Sequence, residues 1–194
     1  MEIKPIFYNF ICTDFLSVDN SALEKYCLKQ KQSNSGRVIS NQGGWQSNDL
    51  DFTAPELAPL LVEISSRLNK LHTELQLINN GYQVIDNMWA NINGPGSYNL
   101  LHLHPASIFS GVYYVKGNKN SGILRFRNPN TPLEFVIGPQ LVQEFNGFNS
   151  ASWEVYPQPG NLVIFPSWLL HDVAPNQDDA DRISISFNSV MRPK

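Results

Sequence analysis

The sequence predicts a mainly β fold of the α+β class, in which N-terminal helices pack on one face of a sandwich or barrel. Before residue 81 an apolar stripe recurs at three- and four-residue steps, and after it come several short β-forming runs separated by Gly, Pro and Asn. The aromatic content of 11%, with four tryptophans, favours a β-rich interior. A length of 194 residues suits one such domain. We therefore expect a single domain over 1–194, with a helical part at 1–81 and a β core at 82–190.

The first 51 residues predict one strand, one helix and a loop. Residues 6–11 are typical of a short strand, and residues 19–30 place Leu23, Tyr26 and Cys27 on one side of a helix. Residues 32–51 are rich in Ser, Asn, Gly and Gln, which is typical of a loop. Two glycines in G-G-W-Q-S, within this loop, allow an unusual turn, and we expect Trp45 to tuck inward as a structural residue; the alternative is a ligand contact.

A second helix has the clearest local signals. T-A-P-E at 53–56 predicts a capping box with proline in the first turn, and N-N-G at 79–81 predicts the end. An apolar stripe runs between them and must pack against another element; it consists of Leu57, Leu60, Leu61, Ile64, Leu68, Leu71 and Leu75. His72 lies just off this stripe, so we expect a solvated or partly buried helix histidine and not a ligand.

Five runs after residue 81 predict strands, at 82–92, 107–115, 122–127, 160–165 and 182–190. The long connection at 128–158 carries aromatic side chains among asparagines and glycines, namely Phe135, Phe145, Phe148, Trp153 and Tyr156. Long irregular segments in compact domains are often lids or binding loops. The sequence leaves open whether this segment covers a substrate or adds a hairpin that closes the barrel.

Charge and cysteine content limit the partners and the compartment. The formal net charge of −3 argues against nucleic acid as the main partner. Two cysteines, Cys12 and Cys27, do not make a disulfide framework, so we expect a reducing cytoplasm. No signal peptide and no membrane span is predicted. A homodimer is left open.

The first candidate for chemistry is the pair His102 and His104 in N-L-L-H-L-H-P. Alternate residues of a strand share a face, so the two imidazoles can point into one space while Leu101 and Leu103 pack the other way. Pro105 lacks an N–H and places the pair at a strand end. Paired imidazoles suit a transition metal, although this motif alone is weak.

Two further elements strengthen the case for a site. His171 follows the apolar run P-G-N-L-V-I-F-P, and the strand at 182–190 alternates so that Arg182, Ser184 and Ser186 share one face. Trp168 lies close to His171 and either lines the same mouth or packs under the sheet. The arginine either forms an ion pair at a sheet edge or holds an anionic ligand with its guanidinium fork.

Five elements in this order resemble the Fe(II)- and 2-oxoglutarate-dependent oxygenases. They are H-x-H, S-G-V-Y-Y-V, S-G-I-L-R-F, P-G-N-L-V-I-F-P with the histidine that follows, and R-x-S. The similarity covers roughly residues 82–190 and is strongest to the prolyl-hydroxylase-like branch and to a group of such oxygenases from bacteria and phages. The resemblance implies a double-stranded β-helix, or jelly roll, with the metal at one open end.

The resemblance also implies roles for individual residues. His102 and His171 match the two iron-binding histidines of the family. Arg182 and Ser184 match the pair that holds the distal carboxylate of 2-oxoglutarate, and Tyr114 falls where prolyl hydroxylases place a tyrosine hydroxyl on the same carboxylate. Tyr113 would then point to the other face.

This sequence departs from the family pattern at His104, where most members have Asp or Glu. We expect His104 to be a true third ligand, which would leave the site one unit more positive than the usual triad. The alternatives are that His104 sits beside the metal, or that Asp172 supplies a carboxylate; strand geometry sends Asp172 to the opposite side. Asn99 could hydrogen-bond the cosubstrate or simply form a turn.

The function implied is a dioxygenase that uses Fe(II), 2-oxoglutarate and O2, and hydroxylates a C–H bond with release of succinate and CO2. Two alternatives remain from other classes. One is a non-catalytic jelly roll; the other is a cupin-type metalloenzyme without 2-oxoglutarate, which usually adds a glutamate that is missing near His102. The substrate is open between a small molecule and a protein side chain.

Overall fold

The computed structural model describes residues 1–4, 6–130 and 138–193, and within them the chain folds into two antiparallel sheets and two α-helices. The N-terminal elements are β1 (Cys12–Phe15), α1 (Asn20–Ser33), β2 (Asn41–Gln42), β3 (Trp45–Gln46) and α2 (Ala58–Glu74). The remaining strands are β4 (Gly81–Asn93), β5 (Tyr98–His102), β6 (Phe109–Lys116), β7 (Leu124–Arg127), β8 (Ser152–Val155), β9 (Asn161–Pro166), β10 (His171–Val173) and β11 (Arg182–Pro193).

The strands form a large and a small sheet whose neighbours are mostly distant in sequence. The large sheet has the order β1-β9-β6-β11-β4-β3, and the small sheet has the order β2-β5-β10-β7-β8. A cluster of buried apolar residues joins the inner faces of the two sheets, with Tyr114, Val163 and Phe165 from one side and Leu124 and Phe126 from the other. The prediction of a mainly β jelly roll with helices on one face is confirmed.

The helices cover the outer face of the large sheet, where the main core lies. Alternation in β11 puts Ile183, Ile185 and Phe187 on this face, in one apolar cluster with helical residues such as Leu23 and Ile64. The opposite, inner face of the same strand is polar. The large sheet therefore uses one face for stability and leaves the other for a site.

Both predicted helices are present, but the start of the second was wrong. Asp19 caps α1, and the predicted buried side of Leu23, Tyr26 and Cys27 is confirmed. Residues Pro55–Leu57 instead form a 3-10 turn before α2 begins at Ala58, with no side-chain cap. Thr53 caps neither segment; its N–H and its hydroxyl both donate to Asp51 Oδ1 in a turn before the helix. The helix also ends at Glu74, earlier than predicted.

Two predictions for the remaining N-terminal segments were wrong, and one is confirmed. Residues 6–11 lack strand pairing; the strand is β1, which pairs with β9 of the large sheet. The predicted loop at 32–51 contains two short strands, β2 and β3, because these add to sheet edges formed by distant residues. Trp45 packs on the core and its Nε1 donates to Asn34 O at 3.2 Å, as expected of a structural residue.

The long connection contributes an edge strand. Residues of β8 pair with β7 and extend the small sheet. Phe135 lies outside the described residues, while Phe145, Phe148, Trp153 and Tyr156 are exposed. Among the described residues, no helix combines the length and the apolar character needed to cross a membrane.

Candidate active site

A cavity opens between the inner faces of the two sheets and contains most of the predicted site residues. It encloses about 510 Å³ of atom-free space, counting its open side. Predicted residues in its wall are Asn99, His102, His104, Tyr114, His171, Arg182 and Ser184; other residues in the wall are Ser40, Trp89, Asn91, Gly111, Val112, Leu124, Phe165, Val173 and Ser186.

Three histidines converge at one end of this cavity. One nitrogen from each of His102, His104 and His171 lies within 4.8 Å of the other two. His102 and His171 face each other across the β5–β10 pair, which brings together residues 69 positions apart in the chain. Such an arrangement is the right size to surround one metal ion.

The first two imidazoles are oriented by backbone carbonyls. His102 Nδ1 lies 2.7 Å from Leu100 O, and His171 Nδ1 lies 2.8 Å from Leu169 O. A carbonyl oxygen only accepts, so Nδ1 carries the hydrogen in the neutral ring and donates it. Nε2 of each ring then holds a free lone pair, which is the state that a metal ligand requires.

His104 is held differently. It lies two residues beyond the end of β5, and its backbone N–H donates to Ser167 O at 2.9 Å. Within the described part of the chain its ring makes no hydrogen bond and is surrounded by other rings, with centroid distances of 5.7 Å to Trp89 and 5.2 Å to His171.

Burial keeps the three imidazoles neutral. Desolvation lowers the pKa of His102, and desolvation together with the proximity of His102 lowers the pKa of His104 to about 4. The same two causes lower the pKa of His171 to about 3. All three rings are therefore available as lone-pair donors at neutral pH.

A buried arginine lies in the wall of the same cavity. Arg182 is only 2% exposed, and its Nη1 donates to Ser121 O at 2.7 Å and to Gly122 O at 3.3 Å. In the described residues it has no acidic partner, and β11 lies inside the large sheet and not at its edge. The alternative of an edge ion pair was therefore wrong. Burial lowers the pKa of Arg182, which remains a cation at physiological pH.

Tyr114 and Ser184 stand beside this arginine on the inner face. They are direct cross-strand neighbours in the β6–β11 pair, and both are buried. Desolvation raises the pKa of Tyr114 to about 12, although the nearby Arg182 charge opposes the shift, so its hydroxyl is a neutral donor. Tyr113 points to the helix side and donates to Asn20 Oδ1 at 2.7 Å, as predicted.

Asn99 reaches the cavity because β5 contains an irregularity. Val173 pairs with Asn99, whereas His171 pairs with His102. Two residue steps along β10 therefore lie opposite three residue steps along β5, as in a β-bulge. The extra residue brings Asn99 to the same face as His102, which a regular strand would not do. Its Nδ2 donates to Ser40 Oγ at 3.2 Å.

Asp172 faces away from the cavity. Its two carboxylate oxygens accept hydrogen bonds from Arg125, at 2.6 and 2.8 Å, and from Arg127, at 3.0 and 3.2 Å. These arginines are on the outer face of the small sheet, since Arg125 is the cross-strand neighbour of Asp172. This geometry gives no support to Asp172 as a carboxylate ligand.

Several apolar side chains near the histidines in sequence are exposed. Leu101 and Leu103, which the sequence predicted to pack on the side opposite the histidines, remain partly open to solvent. Together with Trp168 and Leu170 they are 41% to 52% exposed. Trp168 does not line the cavity. These four side chains are next to the three histidines in sequence.

Sequence reasoning missed several cavity residues. Trp89 and Asn91 lie on the inner face of β4, where polar and aromatic residues alternate with Met88, Ala90 and Ile92. That alternation was visible in the sequence and could have located them. Ser40 had no comparable signal, because it belongs to an irregular loop.

The cavity residues fit both groups that an Fe(II)/2-oxoglutarate site needs. Three neutral imidazoles suit Fe(II) and leave positions free for other ligands. The buried cation, the tyrosine hydroxyl and the serine hydroxyl suit a carboxylate. His102, His104 and His171 could therefore hold the metal, and Arg182, Tyr114 and Ser184 could hold the far end of the cosubstrate.

Comparison with known proteins agrees with this geometry. Residues 87–188, just over half of the chain, match the family model described as "Putative 2OG-Fe(II) oxygenase". No curated protein sequence matches this chain.

Solved structures with a similar fold have low sequence identity. A Pseudomonas putida prolyl-4-hydroxylase is 16% identical with a TM-score of 0.67, and the match covers 96% of this chain and 94% of that chain. A Trichoplax adhaerens prolyl hydroxylase, in complex with a hypoxia-inducible-factor peptide fragment, is 17% identical with a TM-score of 0.62 and coverages of 93% and 83%. HygX from Streptomyces hygroscopicus, with nickel, 2-oxoglutarate and hygromycin B bound, is 10% identical with a TM-score of 0.61 and coverages of 93% and 82%.

The family match spans every predicted site residue on strands β5, β6, β10 and β11, and the similar structures share the jelly-roll fold. This chain therefore belongs to the 2OG-Fe(II) oxygenase family, whose members require Fe(II), 2-oxoglutarate and O2.

Proposed function

We propose that this oxygenase hydroxylates its substrate at a site built from three histidines and a buried arginine. In this proposal His102, His104 and His171 bind Fe(II), and Arg182, Ser184 and Tyr114 bind the distal carboxylate of 2-oxoglutarate. Asn99 contributes a hydrogen bond to the cosubstrate. The overall reaction consumes O2 and 2-oxoglutarate and gives a hydroxylated product, succinate and CO2.

The observation that supports this proposal most strongly is the position of Arg182. A buried guanidinium without an acidic partner in the described residues is unfavourable unless a ligand supplies the negative charge. A structural metal site has no use for a cation in the wall of the same cavity. A 2-oxoglutarate dianion supplies one carboxylate for the arginine and a second that can reach the metal.

The protein residues perform orientation and charge neutralisation. Arg182 is fixed by two backbone carbonyls through Nη1, so its other donors are free to point at a carboxylate. Tyr114 adds a neutral hydroxyl and Ser184 adds a second one from the neighbouring strand. Fe(II), when bound, supplies the O2 activation that couples decarboxylation of the cosubstrate to oxidation of a C–H bond.

For the substrate, we propose either a small molecule or a protein side chain. Structures of similar fold hold either kind of ligand, since one is a complex with a peptide fragment and another contains hygromycin B.

The test is an anaerobic titration of metal-free protein with Fe(II) and then 2-oxoglutarate, following the visible charge-transfer band of the chelate. Wild type should develop the band, Arg182→Ala should need far more 2-oxoglutarate, and His104→Ala should bind Fe(II) weakly. Folding of each variant is checked by circular dichroism. Failure of folded wild-type protein to bind Fe(II), or to respond to 2-oxoglutarate once iron is bound, would contradict the proposal.

A further inference from the structure

We propose that Trp89 is a positioning residue that orients the third histidine, His104, toward the metal. This inference rests on the proposed function, because it assumes that all three histidines bind one ion. It concerns the residue at which this chain departs from the usual two-histidine, one-carboxylate pattern. A carboxylate there is short and stiffly placed, whereas an imidazole needs its ring plane fixed in order to present one nitrogen to the ion.

His104 lacks the hydrogen-bond anchor that the other two histidines have. His102 and His171 each use Nδ1 to donate to a carbonyl two residues earlier in the chain. No such hydrogen bond restrains the His104 ring within the described residues. The strand geometry does not restrain it either, because β5 ends at His102. Only its backbone N–H is tied, to Ser167 O.

Packing against aromatic rings replaces the missing hydrogen bond of His104. The Trp89 ring centroid lies 5.7 Å from that of His104 with the planes tilted by 43°, and Phe165 lies 6.5 Å away. His102 and His171 lie on the metal side, at 5.0 and 5.2 Å. Trp89 is 9% exposed and stands on the rigid inner face of β4, opposite Ser186 of β11. Its large ring therefore limits rotation of His104 away from the metal.

Trp89 is itself in contact with a residue of the N-terminal loop. The Arg37 guanidinium lies over the Trp89 ring, with Cζ 5.9 Å from the ring centroid. Arg37 Nη2 is held by Asp49 Oδ1 at 2.7 Å. A continuous series of contacts thus runs from this ion pair through Trp89 to His104.

The experiment compares Trp89→Leu and Trp89→Phe with Trp168→Leu, a matched change of a tryptophan that is half exposed and does not line the cavity. Coordinated imidazoles are counted by pulsed EPR of protein loaded with Cu(II), and the Kd for Fe(II) is measured anaerobically. Wild type and Trp168→Leu should show three imidazoles. Trp89→Leu should show two and raise the Kd for Fe(II) by about tenfold or more, in the range seen when groups that orient ligands are removed.

A fallback variant and a double-mutant comparison keep the test decisive. If Trp89→Leu does not fold, Trp89→Phe is used, and its smaller ring should also raise the Kd for Fe(II). Adding Trp89→Phe or Trp89→Leu to His104→Ala should cause almost no further loss of affinity, since Trp89 acts through His104. A purely structural role would instead lower affinity equally in both backgrounds.

The outcomes separate this inference from the proposed function. Three imidazoles and an unchanged Kd for Fe(II) in the folded Trp89 variants would overturn the role of Trp89 and leave the three-histidine site intact. Fewer than three imidazoles in wild-type protein would refute the three-histidine site itself. Loss of the third imidazole only in the Trp89 variants supports both.

Discussion

Replacing Arg182 by lysine tests the cosubstrate site with the least change to the fold. The lysine keeps a cation in the cavity wall and one nitrogen that can replace Nη1 at Ser121 O and Gly122 O. It loses the planar fork, so one of two charge-assisted hydrogen bonds to the 2-oxoglutarate carboxylate is lost. We expect weaker binding of 2-oxoglutarate with little change in Fe(II) affinity.

The size of the effect follows from the single lost bond. A hydrogen bond to a charged group contributes about 1.5–3 kcal/mol, and each 1.4 kcal/mol corresponds to a factor of about ten in Kd. The Kd for 2-oxoglutarate should therefore rise roughly 10- to 150-fold. The assay is anaerobic titration of the Fe(II)-loaded protein, and the charge-transfer band gives the Kd.

Arg125→Lys is the matched control. Arg125 also binds a carboxylate with two nitrogens, but that carboxylate is Asp172 on the opposite side of the small sheet. Its replacement should affect stability slightly and leave the Kd for 2-oxoglutarate unchanged. A folded Arg182→Lys protein whose Kd lies within threefold of wild type would refute the assignment of Arg182.

Three further predictions concern other residues. Cys27 is fully buried, and desolvation raises the pKa of its thiol from 9.0 to about 12. Above pH 9 the thiol therefore loses its proton in the unfolded state but keeps it in the folded state, so folding stability falls as the pH rises. In urea unfolding, the stability advantage of wild type over Cys27→Ala should fall by up to about 1.4 kcal/mol per pH unit. A constant difference between pH 8 and 11 would contradict this. Asp172→Asn removes the carboxylate that Arg125 and Arg127 share and should lower the free energy of unfolding by about 2 kcal/mol. Fe(II) binding should stay intact; loss of iron would instead favour Asp172 as a ligand. His104→Asp should still bind Fe(II) but should weaken 2-oxoglutarate binding by about tenfold, because the charge of the site becomes one unit less positive. The anaerobic titration with 2-oxoglutarate measures this change, and tighter binding would argue against the electrostatic role of His104.

The strand pattern of the sequence was sufficient to locate most of the predicted residues that line the cavity. Period-two alternation in β11 placed Arg182 and Ser184 on the face opposite Ile183 and Ile185, as the structure has them. This works because a strand allows only two side-chain directions, so a strongly apolar face defines the polar one.

Local signals failed where long-range pairing or competing hydrogen bonds prevailed. The residues around Asn99 carry no sequence signal for the irregularity in β5 that turns its side chain to the cavity. This irregularity arises from the pairing of β5 with β10. Thr53 has the spacing of a helix cap, but its N–H and its hydroxyl both donate to Asp51 Oδ1 in a turn before the helix. The first strand was placed too early because its position depends on β9, almost 150 residues later.

The sequence by itself determined the fold class, the alternation of the core strands and the identity of the residues able to bind a metal and an anion. Only the tertiary structure decided that His102, His104 and His171 converge within 4.8 Å, that Arg182 shares their cavity and that Trp89 contacts His104. The physical reason is the distance along the chain over which each property is determined. Side-chain direction within a strand is set by neighbouring residues, whereas distances between strands are set by sheet pairing and packing across the whole chain.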